Sequence, residues 1–204
     1  MAVESPPVES ARRDELVEAL YAYAAGRGLG ELSLRPVAAA VGSSPRVLLY
    51  LFGSKDALVR ALLARARQEE LAMLAALRVT EGPVQTRLQR AAEAVWSWLA
   101  RPEHRALLAL WVEGYGRSLV DADGPWAGYA RSTVEDWLAV FARAQPPAVR
   151  RTAAGRAERT LALAVLRGAL LDLVATGEEE RIAAAVRIHL RGMSKSAGQP
   201  RPGQ

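Results

Sequence analysis

The feature that most constrains the fold is a pair of short amphipathic segments joined by a tight turn. Apolar residues recur at helical spacing over residues 34–41, Gly42 interrupts this pattern, and Ser44-Pro45 opens a second segment that ends at Phe52. Serine followed by proline favours a helix start, because the hydroxyl caps the first turn and proline has no amide hydrogen to leave unpaired there. Two short helices across a glycine-containing turn have the spacing of a helix-turn-helix.

The second short segment divides into two faces of different composition. The face expected to pack on the preceding helices carries three apolar residues, Leu48, Leu51 and Phe52. The opposite face carries Arg46, Leu49 and Tyr50. That outward face is free to enter a DNA major groove with its N-terminus leading, as recognition helices do. A generic three-helix packing motif is the alternative, because it shows the same apolar spacing.

Helical patterns continue through the rest of the chain, and strand patterns are nearly absent. A first helix is expected after Ser10, with Gly26 and Gly28 ending it. Ser33 is expected to cap the second helix, and Ser54 a long fourth helix. Prolines and Gly177 delimit the later helices, which are predicted at residues 84–100, 103–118, 126–144, 148–176 and 178–192.

The long fourth helix is the expected link between two parts of the chain. We predict an all-α fold with a three-helix helix-turn-helix DNA-binding domain at residues 10–56. A helical ligand-binding and dimerisation domain is predicted at residues 57–194. Residues 1–9 and 195–204 are rich in proline, glycine, serine and glutamine, so they are expected to be disordered tails.

The composition limits the classes of function. The chain has no cysteine, which excludes disulfides and thiolate metal sites. Its two histidines, His104 and His189, lack the spacing of a metal site or a catalytic constellation, so no enzyme activity, metal or cofactor is expected. The sequence has neither a long apolar run nor the order of a signal peptide, so we expect a cytoplasmic protein without membrane contact. The net charge of +5 permits a nucleic-acid partner.

Three motifs resemble the N-terminal signature of the TetR (tetracycline-repressor-like) family. They are an Ala-x-x-x-Gly end of the second helix (residues 38–42), a leucine-rich third-helix core ending in phenylalanine (48–52) and a Gly-Ser-Lys-Asp-Ala-Leu start of the fourth helix (53–58). The similarity is close over residues 10–65 and weak over 167–177. The resemblance implies a homodimeric, ligand-responsive transcriptional regulator. It is expected to be a repressor that binds a palindromic double-stranded operator and leaves it when an unknown small molecule binds.

Two other classes of function stay open at this point. One is an all-helical protein-interaction or small-molecule-binding protein without DNA affinity, and the other is an enzyme. Salt-dependent retention on DNA, lost on substitution of Arg46, discriminates the regulator from both.

Eight residues of the helix-turn-helix are predicted to contact DNA: Arg35, Ser44, Pro45, Arg46, Val47, Leu49, Tyr50 and Lys55. Arg46 is the candidate for base reading, because a guanidinium can pair bidentately with guanine; a phosphate contact or a solvated side chain is its alternative role. Ser44 and Lys55 are expected at phosphates, since anions are favoured near helix N-termini. Tyr50 is expected to contact phosphate, sugar or a thymine methyl group.

The central and C-terminal helices supply the remaining candidates. Trp96, Trp111 and Tyr115 are predicted to line a ligand cavity, with an ordinary apolar core as the alternative. The segment at residues 160–176 is apolar on most sides, which in a protein of this size indicates contact with a second subunit. The residues predicted at this dimer contact are Leu161, Gly168, Leu170 and Leu171.

Overall fold

The computed structural model describes residues 7–27, 33–77, 83–121 and 123–196, and all of their regular elements are helical. Within these ranges the α-helices are α1 Pro7–Arg27, α2 Leu34–Ala40, α3 Pro45–Phe52, α4 Lys55–Ala76, α5 Arg87–Leu99, α6 Arg105–Val120, α7 Tyr129–Ala144, α8 Pro147–Arg150, α9 Ala153–Thr176 and α10 Glu179–Ser196. Short 3-10 helices, Val84–Thr86 and Pro102–His104, precede α5 and α6. The predicted all-α fold is confirmed.

The first of two compact units contains the described residues up to Glu70 together with residues 109–132. In it, α1, α2 and α3 contact one another around a small apolar core. The core side chains of these three helices are Leu16, Leu20, Ala24, Val37, Ala38, Leu48 and Phe52. Farther along this unit, Gly114 of α6 lies so close to Leu63 and Tyr129 that an added Cβ atom would be 3.3 Å from each.

The second compact unit contains the described residues of 71–108 and 133–204. Helices α5, α9 and α10 contact one another in it. Their buried apolar residues include Val95, Leu99, Leu166, Leu173, Ile182 and Val186. Arg105, at the start of α6, donates a hydrogen bond of 2.8 Å to the carbonyl oxygen of Leu173 near the end of α9.

The division into units differs from the predicted domain boundary between residues 56 and 57. The compact units follow the packing of helices, and α4 runs from Lys55 past the division at Glu70. The predicted boundary divides DNA binding from ligand binding and dimerisation. Helix packing does not test that division, so the boundary stays a prediction. Within the described ranges, no helix combines the length and apolar content needed to cross a lipid bilayer.

Several helix ends lie where local signals predict them, and others do not. Helix α1 begins at Pro7, three residues before Ser10, and α10 continues to Ser196, so these residues belong to helices and not to the predicted tails. Gly28 and the outer tails, 1–6 and 197–204, lie outside the described residues. Ser33 occupies the N-cap of α2, but its side chain makes no capping hydrogen bond.

Two of the later helices also differ from prediction. Helix α7 begins at Tyr129 and not at 126, because residues 123–128 form bends and turns. The single helix predicted at 148–176 is two helices, α8 and α9. Thr152 caps the second of them, since its side-chain oxygen accepts a hydrogen bond of 2.9 Å from the amide of Gly155.

Candidate nucleic-acid interface

Hydrogen bonds at both ends fix helix α3 and the turn that follows it. The Ser44 hydroxyl oxygen accepts a hydrogen bond of 3.2 Å from the Val47 amide, as the Ser44-Pro45 pair predicts. At the other end, Gly53 adopts a φ of +79°, a conformation that other residues rarely take, and its amide bonds to the Leu49 carbonyl. The Ser54 hydroxyl then caps α4 by accepting from the Ala57 amide at 3.1 Å. Local sequence therefore determines where α3 begins and ends.

The two faces of α3 are separated as its periodicity predicts. Leu48 is 1% exposed and Phe52 is also buried, which attaches the inner face to α1 and α2. The guanidinium of Arg13 on α1 lies 5.1 Å from the centre of the Phe52 ring, close enough for a cation–π contact. On the outer face Leu49 is 41% and Tyr50 72% exposed.

The structure places all eight predicted DNA-contact residues in the first unit. Seven are exposed: Arg35, Ser44, Arg46, Val47, Leu49, Tyr50 and Lys55. Pro45 is half-buried, as expected of the first residue of a helix whose inner face packs on its neighbours. Six of the eight lie on α3 or at its N-cap, Arg35 lies in the first turn of α2, and Lys55 is the first residue of α4.

Ser54 joins these residues, although the sequence suggested only a capping role for it. It is exposed, it precedes Lys55, and its oxygen already accepts the Ala57 amide, which leaves the hydroxyl hydrogen available to donate. Ser44 has the same arrangement with Val47. The two capping serines flank α3 and share a chemistry suited to phosphate oxygens.

The predicted ligand-binding aromatics fall in different units. Trp111 is buried and Tyr115 half-buried in the first unit, whereas Trp96 is buried in the second. On α5, Trp96 is buried and Trp98 is half-buried. The Trp98 ring stacks on His104 at 3.8 Å between ring centres, and the His104 Nδ1 atom lies 2.7 Å from the Trp98 carbonyl oxygen.

A buried carboxylate in the first unit was not predicted. Glu70 of α4 is only 1% exposed and pairs with Arg67 at 3.3 Å. Burial raises the pKa of Tyr129 above its ordinary value, and the negative charge of Glu70 adds to this rise. Charge patterning alone gives no signal for such burial, because Glu70 and Arg67 also fit a solvated helix face.

The outward faces of α9 and α10 carry an exposed apolar surface. Leu161, Gly168 and Leu171 lie on the exposed side of α9, and Leu171 is 47% exposed. Leu170, the fourth predicted dimer residue, is half-buried on the opposite side of α9. On α10, Ile188 is 73% exposed. We call the residues Leu161, Gly168, Leu171 and Ile188 the C-terminal apolar surface.

Comparison with known proteins identifies the family of the helix-turn-helix. Residues 16–62, from the middle of α1 to the middle of α4, match the family described as bacterial regulatory proteins of the tetR family. This match covers the whole helix-turn-helix and the three motifs around it. Residues 16–62 form a TetR-family helix-turn-helix module. Regulators of this family bind operator DNA, typically as dimers that respond to small molecules, and are generally not enzymes.

Solved structures extend the similarity of fold to nearly the whole length of the chain. A transcriptional regulator from Rhodococcus sp. Rha1 is 20% identical with a TM-score of 0.75, and the match covers 93% of this chain and 99% of that one. A TetR-family member from Streptomyces coelicolor A3 is 25% identical with a TM-score of 0.64, over 89% and 97% of the two chains.

A third structural neighbour was solved with a small molecule. It is the multidrug binding protein EbrR complexed with imidazole, 23% identical with a TM-score of 0.64, and the match covers 95% of this chain and 93% of that one. No curated protein sequence matches the chain significantly. At these identities the structural matches establish the fold of the chain alone.

Proposed function

We propose that this protein is a TetR-family repressor that binds a palindromic operator as a homodimer and is released by a small molecule. One observation carries the DNA-binding part of the proposal. Helix α3 buries Leu48 and Phe52 against its own module while it exposes Arg46, Leu49 and Tyr50 on one side. A capped helix that exposes one set of side chains to solvent has the geometry of a recognition helix in the major groove.

The exposed residues divide into base-reading and backbone-positioning contacts in this proposal. Arg46, in the first turn of α3, reaches a base edge, while Val47, Leu49 and Tyr50 lie against the groove. Ser44 and Lys55 donate hydrogen bonds to phosphates on either side of α3, and Ser54 adds a further donor. Arg35 and Pro45 lie at the margin of this surface, where Arg35 adds positive charge near the backbone.

The C-terminal apolar surface supports dimerisation through α9 and α10. Leu161 and Leu171 lie on the same side of α9, with the small residue Gly168 between them. Small residues allow close approach of a partner helix, and large exposed leucines supply apolar area to bury. Ile188 on α10 adds to that area. Leu170, which lies on the opposite side of α9, has no direct part in this contact.

The effector is proposed to be a small molecule with apolar or aromatic character. Trp111 and Tyr115 lie one helical turn apart on α6, and Trp96 is an aromatic candidate in the second unit. Aromatic side chains combine apolar contact with a polar group that orients a ligand. The complexes of EbrR with imidazole and with proflavin, both aromatic heterocycles, support this class of effector.

The test of DNA binding is selection from a random pool of double-stranded DNA by the full chain, followed by affinity measurements across a salt series. A recovered palindrome with two equal half-sites, bound with a steep salt dependence, supports the proposal. The alternative, an all-helical protein without DNA affinity, predicts no enrichment and no retention. Arg46→Ala should relax the sequence preference at one base pair per half-site without lowering the thermal unfolding midpoint, since its side chain is exposed.

The effector proposal has its own readout. Imidazole and a panel of aromatic heterocycles are titrated into DNA-free protein while tryptophan fluorescence is recorded, and then into the complex with the selected DNA. A compound that quenches fluorescence and releases DNA over the same concentration range supports the proposal. Trp96→Phe and Trp111→Phe variants assign the quenched residue. Quenching without DNA release, or release without any saturable binding, contradicts it.

A further inference from the structure

The outward face of α3 has an unusual composition for a surface that reads bases. Its four outward side chains are Arg46, Val47, Leu49 and Tyr50, and each is exposed. Only Arg46 is charged, and only Arg46 and Tyr50 can form hydrogen bonds with their side chains. The face carries no asparagine, glutamine, aspartate or glutamate. Most of the surface that would lie in the groove is therefore apolar.

Each base pair presents a different set of groups in the major groove. Arginine pairs bidentately with guanine, asparagine or glutamine with adenine, and acidic side chains accept from cytosine. Thymine alone presents an apolar group, its 5-methyl, which apolar side chains contact. A face with one guanidinium and three apolar or aromatic side chains therefore matches one guanine and several thymines.

Periodicity places these side chains in one contiguous patch. Arg46 and Tyr50 are four residues apart and lie one above the other on the helix, with Val47 and Leu49 on either side. Leu48 and Phe52, the buried residues of α3, hold the backbone so that this patch faces outward. The exposed cations Arg35 and Lys55, on the neighbouring helices, favour a polyanion over an apolar protein partner.

We propose that α3 reads its half-site through thymine methyl groups, with Arg46 reading a single guanine among them. This inference rests on the proposed DNA binding and specifies its chemistry. Val47, Leu49 and Tyr50 supply the apolar contacts. Removing a methyl group from a contacted thymine should weaken binding by about fourfold, the ratio that corresponds to burying one methyl-sized apolar group.

The experiment uses the palindrome selected from the random pool and its chemically modified forms. Each thymine of one half-site, and its symmetry mate, is replaced in turn by uracil, which keeps all base-pair hydrogen bonds and lacks the 5-methyl group. A second series replaces the same thymine by cytosine or by 5-methylcytosine. Wild-type protein should lose about fourfold per half-site at two or three thymines, and 5-methylcytosine should bind better than cytosine by a similar factor.

Protein variants assign each methyl group to a side chain. In Leu49→Ala the uracil penalty should disappear at one thymine per half-site and persist at the others, and Val47→Ala should do the same at a different thymine. Lys55→Ala is the matched control, because a phosphate contact does not depend on thymine methyl groups, so every uracil penalty should persist. Val47 and Leu49 are both exposed, so neither alanine variant should change the thermal unfolding midpoint.

The outcomes separate this inference from the DNA binding on which it rests. If no sequence is enriched and no DNA is retained, the proposed function itself is wrong. If a palindrome is selected but full replacement of thymine by uracil leaves affinity unchanged, only the methyl reading is overturned. Uracil penalties that persist equally in Leu49→Ala and Val47→Ala overturn it as well, because the methyl groups would then act through DNA shape.

Discussion

The outward face of α3 and the C-terminal apolar surface both expose large apolar side chains, but their surroundings differ. On α3, the exposed Leu49 and Tyr50 lie beside Arg46. On α9, the exposed Leu161 and Leu171 lie on the same face as the small residue Gly168. Apolar exposure is thus shared, and the neighbouring residues distinguish a surface suited to a polyanion from one suited to a second helix.

This difference shows what exposure alone leaves undecided. Exposed apolar area indicates that a surface has a partner, and charge indicates which kind of partner. Cations fixed beside an apolar patch favour a groove lined by phosphates, whereas small residues beside an apolar patch favour close helix packing.

The largest effect is expected from a charge in the C-terminal apolar surface. Leu171→Asp should raise the dimer dissociation constant by at least about 100-fold, because an unpaired charge buried in a contact costs roughly 3 kcal/mol or more. The protomer should still fold, since Leu171 is partly exposed in it. Analytical ultracentrifugation at micromolar concentration should show a monomer. Affinity for the selected palindrome should fall as well, because the two DNA-binding modules are no longer linked and each binds its half-site alone.

Val120→Asp is the matched control for this change. Val120, at the end of α6, is 90% exposed, so the substitution introduces the same charge at another exposed apolar position. Its dimerisation and DNA affinity should equal those of the wild type. A Leu171→Asp protein that stays dimeric would contradict the role of the C-terminal apolar surface, and a monomer that binds the palindrome with full affinity would contradict the dimeric mode of reading.

The second effect is expected on the α3 side. Arg46→Ala should cost about 1–3 kcal/mol on the selected operator and relax the preference at one base pair per half-site, because a bidentate contact to guanine is lost. Dimerisation should be unchanged, since Arg46 lies on α3 and not in the C-terminal apolar surface. Competition binding with single-base operator variants measures both parts. Equal weakening on operator and scrambled DNA would assign Arg46 to phosphate and not to a base.

The sequence predicts the α3 region in more detail than the α9 region. The reason is that the contacts that determine α3 join residues close together in the sequence. The start of α3 follows from Ser44-Pro45, and its end from Gly53; each signal lies within four residues of the hydrogen bond it makes. The two faces of α3 also differ in composition, so periodicity identifies the buried one. Here local sequence was sufficient for both the helix and its exposed residues.

The start of α9 depends on contacts that the sequence does not display. Gly155 lies against α8 so closely that an added Cβ atom would be 2.1 Å from the Val149 carbonyl oxygen. Gln145, which is buried, donates a hydrogen bond of 2.8 Å to the Gly155 carbonyl. These contacts separate α8 from α9 where an alanine-rich sequence predicts one continuous helix. The apolar residues on all sides of α9 likewise hide which leucines face outward, so Leu170 and Leu171 looked equivalent.

A third, smaller effect concerns the caps with which α3 and α9 begin. Ser44→Ala should lower the free energy of unfolding by about 1 kcal/mol, since the Val47 amide loses its acceptor. Thr152→Ala should have a similar cost through the Gly155 amide. Urea unfolding measures both. Only Ser44→Ala should also weaken DNA binding, because its hydroxyl lies in the α3 interface.

Ser33→Ala is the control for these caps. Ser33 occupies the N-cap of α2 without a side-chain capping bond, so its loss should leave the free energy of unfolding nearly unchanged. Should Ser33→Ala cost as much as Ser44→Ala, the side-chain hydrogen bonds would not be the source of the stabilisation. If Thr152→Ala weakens DNA binding as much as Ser44→Ala, the loss of binding comes from lower stability and not from the Ser44 hydroxyl.

The smallest effect tests whether the charge near α3 acts through the DNA backbone. Lys55 is exposed as the first residue of α4, directly after the Ser54 cap, so we expect it at a phosphate. Lys55→Ala should weaken binding to operator and scrambled DNA by the same factor. The plot of log affinity against log salt should become shallower by about one unit per subunit, because one fewer counterion is released. Arg101→Ala removes an exposed cation from the second unit and should leave that slope unchanged. If the salt slope changes equally in both variants, net charge governs the electrostatic attraction, and the position of Lys55 beside α3 does not. If Lys55→Ala loses affinity for the operator alone, this lysine contacts a base and not a phosphate.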